Sequence, residues 1–133
     1  GVIQSPMAQP RNLIGGHLIS AFIGGTVYKF IPDIIWIAAP LAVSLSIVCM
    51  QITKTLHPPG GATALIAVNG TETVKNLGYE YVVFPVLVGV LILFVVALFF
   101  NNLTSKRHYP NNKKYNPIKY KIHGLFGENS FEK

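Results

Sequence analysis

The stretch TLHPPGGATALIAV, residues 55–68, places a histidine, two prolines and two glycines in front of a short apolar run. Proline lacks a backbone N–H and is tolerated in an α-helix only within the first turn. It also disfavours helical angles in the residue before it. These rules predict a helix over residues 58–68, with His57 in a non-helical approach. At helical rise the segment measures about 17 Å, roughly half the ~30 Å hydrocarbon core of a bilayer.

Three longer segments surround this short one, and two of them are apolar enough to cross a membrane. Residues 34–52 and 81–100 contain no charged side chain, and residues 12–30 are glycine-rich and weakly apolar. Only 12% of the 133 residues are charged, against about a quarter in soluble domains. The sequence therefore predicts an all-α fold, a polytopic transmembrane helical bundle with a short half-helix after His57.

The chain divides into a transmembrane domain, residues 1–103, and a basic tail, residues 104–133. The tail has no hydrophobic periodicity and is predicted to be flexible. It carries seven of the chain's lysines and arginines, so the positive-inside rule predicts that it is cytoplasmic. The net charge of +6 is concentrated there, which favours the lipid bilayer over nucleic acid as its partner.

Two topologies remain open for the helices. If all four segments cross, Arg11 and Lys54 lie on the side of the tail, and Lys29 and Lys75 lie on the other. If residues 58–68 re-enter instead, Arg11, Lys54 and Lys75 all lie opposite the tail. The positive-inside rule favours four crossings.

The start of the short helix offers backbone donors. The amides of Gly60, Gly61 and Ala62 belong to its first turn, where N–H groups lack intrahelical partners and carry the positive end of the helix dipole. A buried helix start of this kind is suited to anion binding. Equally, the prolines could end a surface loop before an ordinary short span. The residues alone leave both interpretations open.

Three blocks of the sequence resemble the HPP family of integral membrane proteins, which is named for its His-Pro-Pro motif. The blocks are LHPPGGATALIAV at 56–68, SPMAQPRNLIGGHLISAFIG at 5–24 and FPVLVGVLILFVVALFFNNL at 84–103. The second contains Gln9-Pro10-Arg11-Asn12 and Gly16-His17, and the third ends in Asn101-Asn102. Because the family has a further hydrophobic segment before the second block, the resemblance predicts that the chain is truncated at its N-terminus.

The resemblance implies a multi-pass transporter, since plastid and cyanobacterial members of the family are linked to nitrite transport. We therefore expect a small inorganic anion to bind at the start of the half-helix. Its ligands would be the amides of Gly60, Gly61 and Ala62 and the hydroxyl of Thr63. His57, which lies in the non-helical approach directly before Pro58 and Pro59, would donate a hydrogen bond to the anion or exchange a proton with it.

Other residues of the resembling blocks allow two interpretations each. His17 lies on a small-residue face and is either a packing histidine or part of the pathway. Arg11 is an interfacial anchor or a second anion ligand, and Asn101 and Asn102 are predicted to cap the last helix. Small residues recur every four positions at Gly16, Ser20 and Gly24 and at Ala38, Ala42 and Ser46. Such rows predict close helix packing, within one chain or between copies in a homo-oligomer.

An enzyme is the main competing class, and the sequence argues against it. All five acidic residues lie in predicted loops or in the tail, and no histidine–cysteine pair has the spacing of metal ligands. We therefore expect no catalytic residue, metal site or cofactor. The remaining alternative is a non-transporting membrane scaffold or sensor whose basic tail contacts a partner. Flux through the purified protein separates the two, because a scaffold passes nothing.

Overall fold

A computed structural model describes residues 3–32, 34–103 and 109–110, and every regular element among them is helical. The prediction of an all-α fold is confirmed. Its elements are a 3-10 turn (Pro6–Ala8), α1 (Pro10–Phe30), α2 (Ile35–Ile52), α3 (Pro59–Asn69), α4 (Glu72–Asn76), a kinked turn (Val82–Leu87) and α5 (Val88–Asn102). Residues 104–133 lie outside the described part apart from Tyr109 and Pro110, so the flexibility of the tail stays a prediction.

One end of the bundle, called the histidine end below, gathers His57, the start of α1 and the end of α5. The Asn12 side-chain amide donates to the Leu56 carbonyl at 2.9 Å, which fixes the α2–α3 connection beside the first turn of α1. The Tyr109 hydroxyl donates to the Ala8 carbonyl at 2.7 Å. The chain therefore leaves α5 at the same end at which it enters α1.

The opposite end holds the α4 region. The Lys75 ammonium lies 5.6 Å from the centre of the Tyr28 ring, and the Lys29 ammonium lies 5.6 Å from the centre of the Tyr79 ring. The segment 58–68 thus starts at the histidine end and finishes at the other, rather than turning back. This is the arrangement of the four-crossing alternative.

Two helical stretches are long and apolar enough to span a membrane, Ile35–Ile52 and Val82–Asn102. Most of their large side chains point outward: Trp36 is 89% exposed and Phe100 66%. Within α5, Val90 is the one buried residue. Outward apolar surface of this extent is the pattern of helices that face lipid.

The small-residue rows lie at close helix contacts, and α3 is their common partner. Gly16, Ser20 and Gly24 are all buried along α1. A β-carbon added to Gly24 would lie 2.6 Å from the Ala64 carbonyl oxygen. On α2, Ala38, Ala42 and Ser46 are fully buried. Backbone approach through small side chains is the usual way in which helices associate in lipid. The rows predicted the contact faces, and the structure shows that α1 and α2 both enclose α3.

The last span is broken near its start, where the sequence predicted one helix over residues 81–100. Phe84 has φ −133° and ψ 117°, in extended backbone, and the kinked turn around it (Val82–Leu87) precedes α5. The cause is Pro85, which disfavours helical angles in the residue before it. The predicted span is present as Val82–Asn102, and it is kinked at Phe84.

Helix α2 ends in a Schellman motif built on a lysine. The Thr55 amide donates to the Met50 carbonyl and the Lys54 amide to the Gln51 carbonyl. Lys54 has φ 57°, in the left-handed region that this motif requires and that glycine adopts without strain.

Lys54→Gly is expected to raise the free energy of unfolding by about 1 kcal/mol, because it removes the strain of a β-carbon in the left-handed region. Gln51→Gly is the matched control: it lies within α2, and its exposed side chain makes no hydrogen bond among the described residues, so glycine there lowers stability by roughly 0.5–1 kcal/mol. Thermal unfolding in detergent micelles, followed by circular dichroism, measures both. A loss of stability in both variants would contradict the strain at Lys54.

Candidate functional site

The first turn of α3 closes onto the loop before it. The Gly60 amide donates to the His57 carbonyl at 2.8 Å, and the Gly61 amide donates to the Pro58 carbonyl at 3.0 Å. Pro58 has helical angles (φ −52°, ψ −38°), which brings these carbonyls within reach of the turn. The prediction that the amides of Gly60 and Gly61 are free donors is therefore wrong. Ala62 lies on an exposed face of α3, away from the two buried glycines.

Gly60 serves a packing contact instead. A β-carbon at this position would lie 2.8 Å from Ser20 Oγ and 2.9 Å from the Gly16 carbonyl oxygen on α1. At Gly61 the nearest neighbour of such a carbon is a methyl group of Val43, at 3.6 Å, an ordinary contact distance. The sequence could not distinguish these uses, because a glycine marks an open amide and a close helix contact equally well.

His57 is held by the segment that precedes α1. Its Nδ1 lies 2.9 Å from the Met7 carbonyl oxygen. Because a carbonyl can only accept, Nδ1 carries the proton and donates it. No hydrogen bond to its Nε2 occurs among the described residues. His57 also lines a cavity of about 210 Å³, whose other lining residues are Ile3, Ala8, Leu13, Leu93, Ala97, Asn101 and Tyr109.

His17 lies directly beside it. The two ring centres are 5.0 Å apart, with planes inclined at 58°. His17 Nδ1 lies 2.7 Å from Thr63 Oγ1 across the α1–α3 contact. Three predicted site residues, His17, His57 and Thr63, therefore meet at the histidine end of the α1–α3 interface.

Tyr81 supports this cluster from the start of the last span, and no pattern in the sequence marks it as a site residue. Its hydroxyl donates to the Thr63 carbonyl at 3.2 Å, and the residue is buried. A buried tyrosine normally directs its hydroxyl to a hydrogen-bond partner. In a sequence, however, a tyrosine at the edge of an apolar span is equally typical of an interfacial anchor.

The Gln-Pro-Arg-Asn block positions the loop that carries His57. Arg11 donates from Nη2 to the Thr53 carbonyl at 3.1 Å, and Asn12 donates to the Leu56 carbonyl. Gln9 donates to backbone carbonyls of the preceding turn. Pro10 occupies the first position of α1, where its missing N–H costs no hydrogen bond. Arg11 thus holds the loop, and its described bond goes to backbone rather than to the histidine pair.

The two asparagines that end α5, Asn101 and Asn102, make different contacts. Asn101 donates to the Ala97 carbonyl within α5 at 2.7 Å. Asn102 accepts from the Tyr109 amide at 2.9 Å and donates to the Tyr109 carbonyl at 2.7 Å. Burial raises the pKa of the Tyr109 hydroxyl, so at neutral pH it keeps the proton that it donates to Ala8. These hydrogen bonds of Tyr109 with Asn102 and Ala8 were not predicted, because nothing in the sequence marks Tyr109 as buried.

Charge is distributed unevenly between the two ends. The described cations of the histidine end are Arg11 and Lys54, on the first turn of α1 and in the α2–α3 connection. The described carboxylates are at the opposite end: Glu72 is the first residue of α4, where it pairs with Lys75 at 3.1 Å, and Glu80 follows that helix. Within the described residues, the surroundings of His57 are therefore positive.

Comparison with known proteins agrees with this architecture. The family model described as "HPP, transmembrane region" matches residues 1–110. Two transmembrane proteins of Dictyostelium discoideum are similar to the chain, one 49% identical over 113 residues and the other 45% identical over 113 residues. The match covers 83% of this chain in both cases, but 39% and 36% of the relatives. The chain thus spans well under half of their length. No solved structure matches it significantly. The chain is an integral membrane protein and belongs to the HPP transmembrane family.

Proposed function

We propose that this protein transports a small inorganic anion, nitrite being the first candidate, and that the anion binds beside His57. The observation that carries the proposal is the pairing of His57 with His17, at 5.0 Å between ring centres, next to the cavity that His57 lines. Ionisable groups inside a membrane bundle are costly to retain and commonly mark a substrate or proton pathway.

The electrostatics favour an anion over a cation. Arg11 and Lys54 are at the histidine end, whereas the described carboxylates are at the other end. A site surrounded by one sign of charge raises the local concentration of the opposite ion. A cation pathway would need carboxylates or converging carbonyls near His57. Among the described residues, the Met7 carbonyl is already occupied by the imidazole.

The imidazoles replace the amide donors as the anion ligands in this proposal. The N–H groups of Gly60 and Gly61 already donate hydrogen bonds to carbonyls of the preceding loop. Thr63 Oγ1 is hydrogen-bonded to His17. His57 is half-buried and lines the cavity, so it is the residue that meets an ion there.

The same arrangement favours a cytoplasmic histidine end. Tyr109 places the beginning of the basic tail beside Ala8, and Arg11 and Lys54 lie at that end too. Clustering of lysine and arginine on one side is typical of the cytoplasmic face. The anion site would then open toward the cytoplasm.

Reconstitution tests the proposal. Purified protein is placed in liposomes that contain an anion-sensitive reporter, and nitrite, nitrate and chloride are added outside in turn. We expect saturable nitrite entry well above that of protein-free liposomes, which report the passive leak of nitrous acid. If none of the three anions enters while circular dichroism shows a helical protein, transport is excluded. A membrane scaffold that engages a partner through its tail then becomes the better explanation.

A further inference from the structure

We propose that the site at His57 binds an anion and a proton together, so that the protein is a proton–anion cotransporter. This inference rests on the proposed transport function. It follows from the hydrogen bonds that fix the two histidines, and it names the coupling ion.

The tautomer of His57 is decisive. Nδ1 faces the Met7 carbonyl at 2.9 Å and must carry a hydrogen, because the carbonyl has none to give. In neutral imidazole one nitrogen carries the hydrogen and the other only accepts. Neutral His57 therefore presents Nε2 as an acceptor, which repels an anion. His57 becomes a donor to an anion only after a second proton binds at Nε2.

His17 makes a second proton on the pair unfavourable. Two imidazolium rings with centres 5.0 Å apart repel each other strongly away from bulk water, so the protons bind in separate steps. Unlike His57, His17 faces a hydroxyl, Thr63 Oγ1, which can donate or accept. His17 can therefore stay neutral in either tautomer while its neighbour is charged.

The other titratable or charged groups around the pair are few. Helices α3 and α5 contribute none, since neither contains an ionisable side chain. On the remaining described elements the groups are Arg11 on α1, Cys49 on α2, Lys54 in the connection, Tyr81 before α5 and Tyr109 after it. With no carboxylate among these groups, the described residues leave the positive charge of protonated His57 for an external anion to balance.

The balance of charge explains the advantage of cotransport. One proton leaves the solvent for Nε2, and one anion accepts a hydrogen bond from it, so the site gains no net charge. Moving such a neutral pair through a low-dielectric bundle costs far less than moving the anion alone. Proton and anion then leave together at the other side, and no covalent bond is made or broken.

Proton uptake on anion binding tests this directly. The purified protein in detergent micelles is kept in weakly buffered solution near neutral pH, nitrite is added, and the pH change is recorded. We expect up to about one proton taken up per bound anion. Nitrite affinity should weaken as the pH rises, by up to about tenfold per pH unit, because each bound anion brings one proton with it. His57→Gln, which keeps a donor for Met7 but cannot be charged, should abolish the proton uptake. His123→Gln, which changes a histidine of the tail instead, is the control and should leave proton uptake unchanged.

The outcomes separate the two proposals. Nitrite binding without proton uptake, at an affinity that does not change with pH, overturns cotransport and leaves anion transport intact. Absence of binding and of flux for every anion tested overturns both. The wild-type titration alone decides between these cases, so the conclusion does not depend on the folding of the His57 variant.

Discussion

Gly24→Ala is expected to force α1 away from α3 and to destabilise the bundle. The added carbon would lie 2.6 Å from the Ala64 carbonyl oxygen, 2.8 Å from Ala67 Cβ and 2.9 Å from Ala64 Cα. Two of these atoms are backbone and cannot rotate away, so the helices must separate. Overpacking of this kind costs about 1–3 kcal/mol, and more where the neighbours are rigid.

Gly25→Ala is the matched control, because it is the next residue of the same helix. There the nearest atom to an added β-carbon is the Gly78 carbonyl oxygen at 3.6 Å, an ordinary contact. Alanine also favours helix over glycine, so this variant should be at least as stable as the wild type. Thermal unfolding of both in micelles gives the comparison. Equal stability of the two variants would show that α1 and α3 do not approach as closely as described.

His57→Ala is expected to reduce nitrite flux about tenfold or more, the largest functional effect that we predict. The flux falls because the variant lacks the imidazole that donates to the ion, and a hydrogen bond to a charged group contributes about 1.5–3 kcal/mol. The variant should still fold, because the one described hydrogen bond of the side chain goes to the Met7 carbonyl near the start of the chain.

Gln51→Ala controls for this variant in the same liposome assay. Gln51 is exposed, lies at the same end of the bundle and makes no side-chain hydrogen bond among the described residues. Its flux should equal that of the wild type. If His57→Ala also transports at the wild-type rate, the anion site lies elsewhere in the bundle, although the protein remains a transporter.

Much of the fold could be predicted from elementary rules. Uncharged runs of membrane length predicted α2 and the last span, and the prolines at 58 and 59 placed the start of α3 within one residue. The break at Phe84 was also readable in principle, since Pro85 is visible in the sequence. A proline in an apolar run does not by itself show whether the helix is broken or continues. Pro40, for example, lies within α2 without interrupting it.

The site was less predictable, for a different reason. His17 and His57 were each recognised as unusual in an apolar chain, but no local pattern shows that residues from separate helices touch. Their contact depends on the parallel packing of α1 against α3. The spacing of glycines predicts which face of α1 is packed, but not which helix packs against it. The roles of Gly60 and Tyr81 depend on that same long-range contact.

The hydrogen bond from Tyr109 to Ala8 joins positions 101 residues apart and so closes the chain into a ring at one end. Ala8 directly follows Met7, whose carbonyl holds the His57 ring. A pulling force applied to the chain beyond Pro110 would therefore act at once on the end of α5, through Asn102, and on Ala8, one residue from the carbonyl that holds His57.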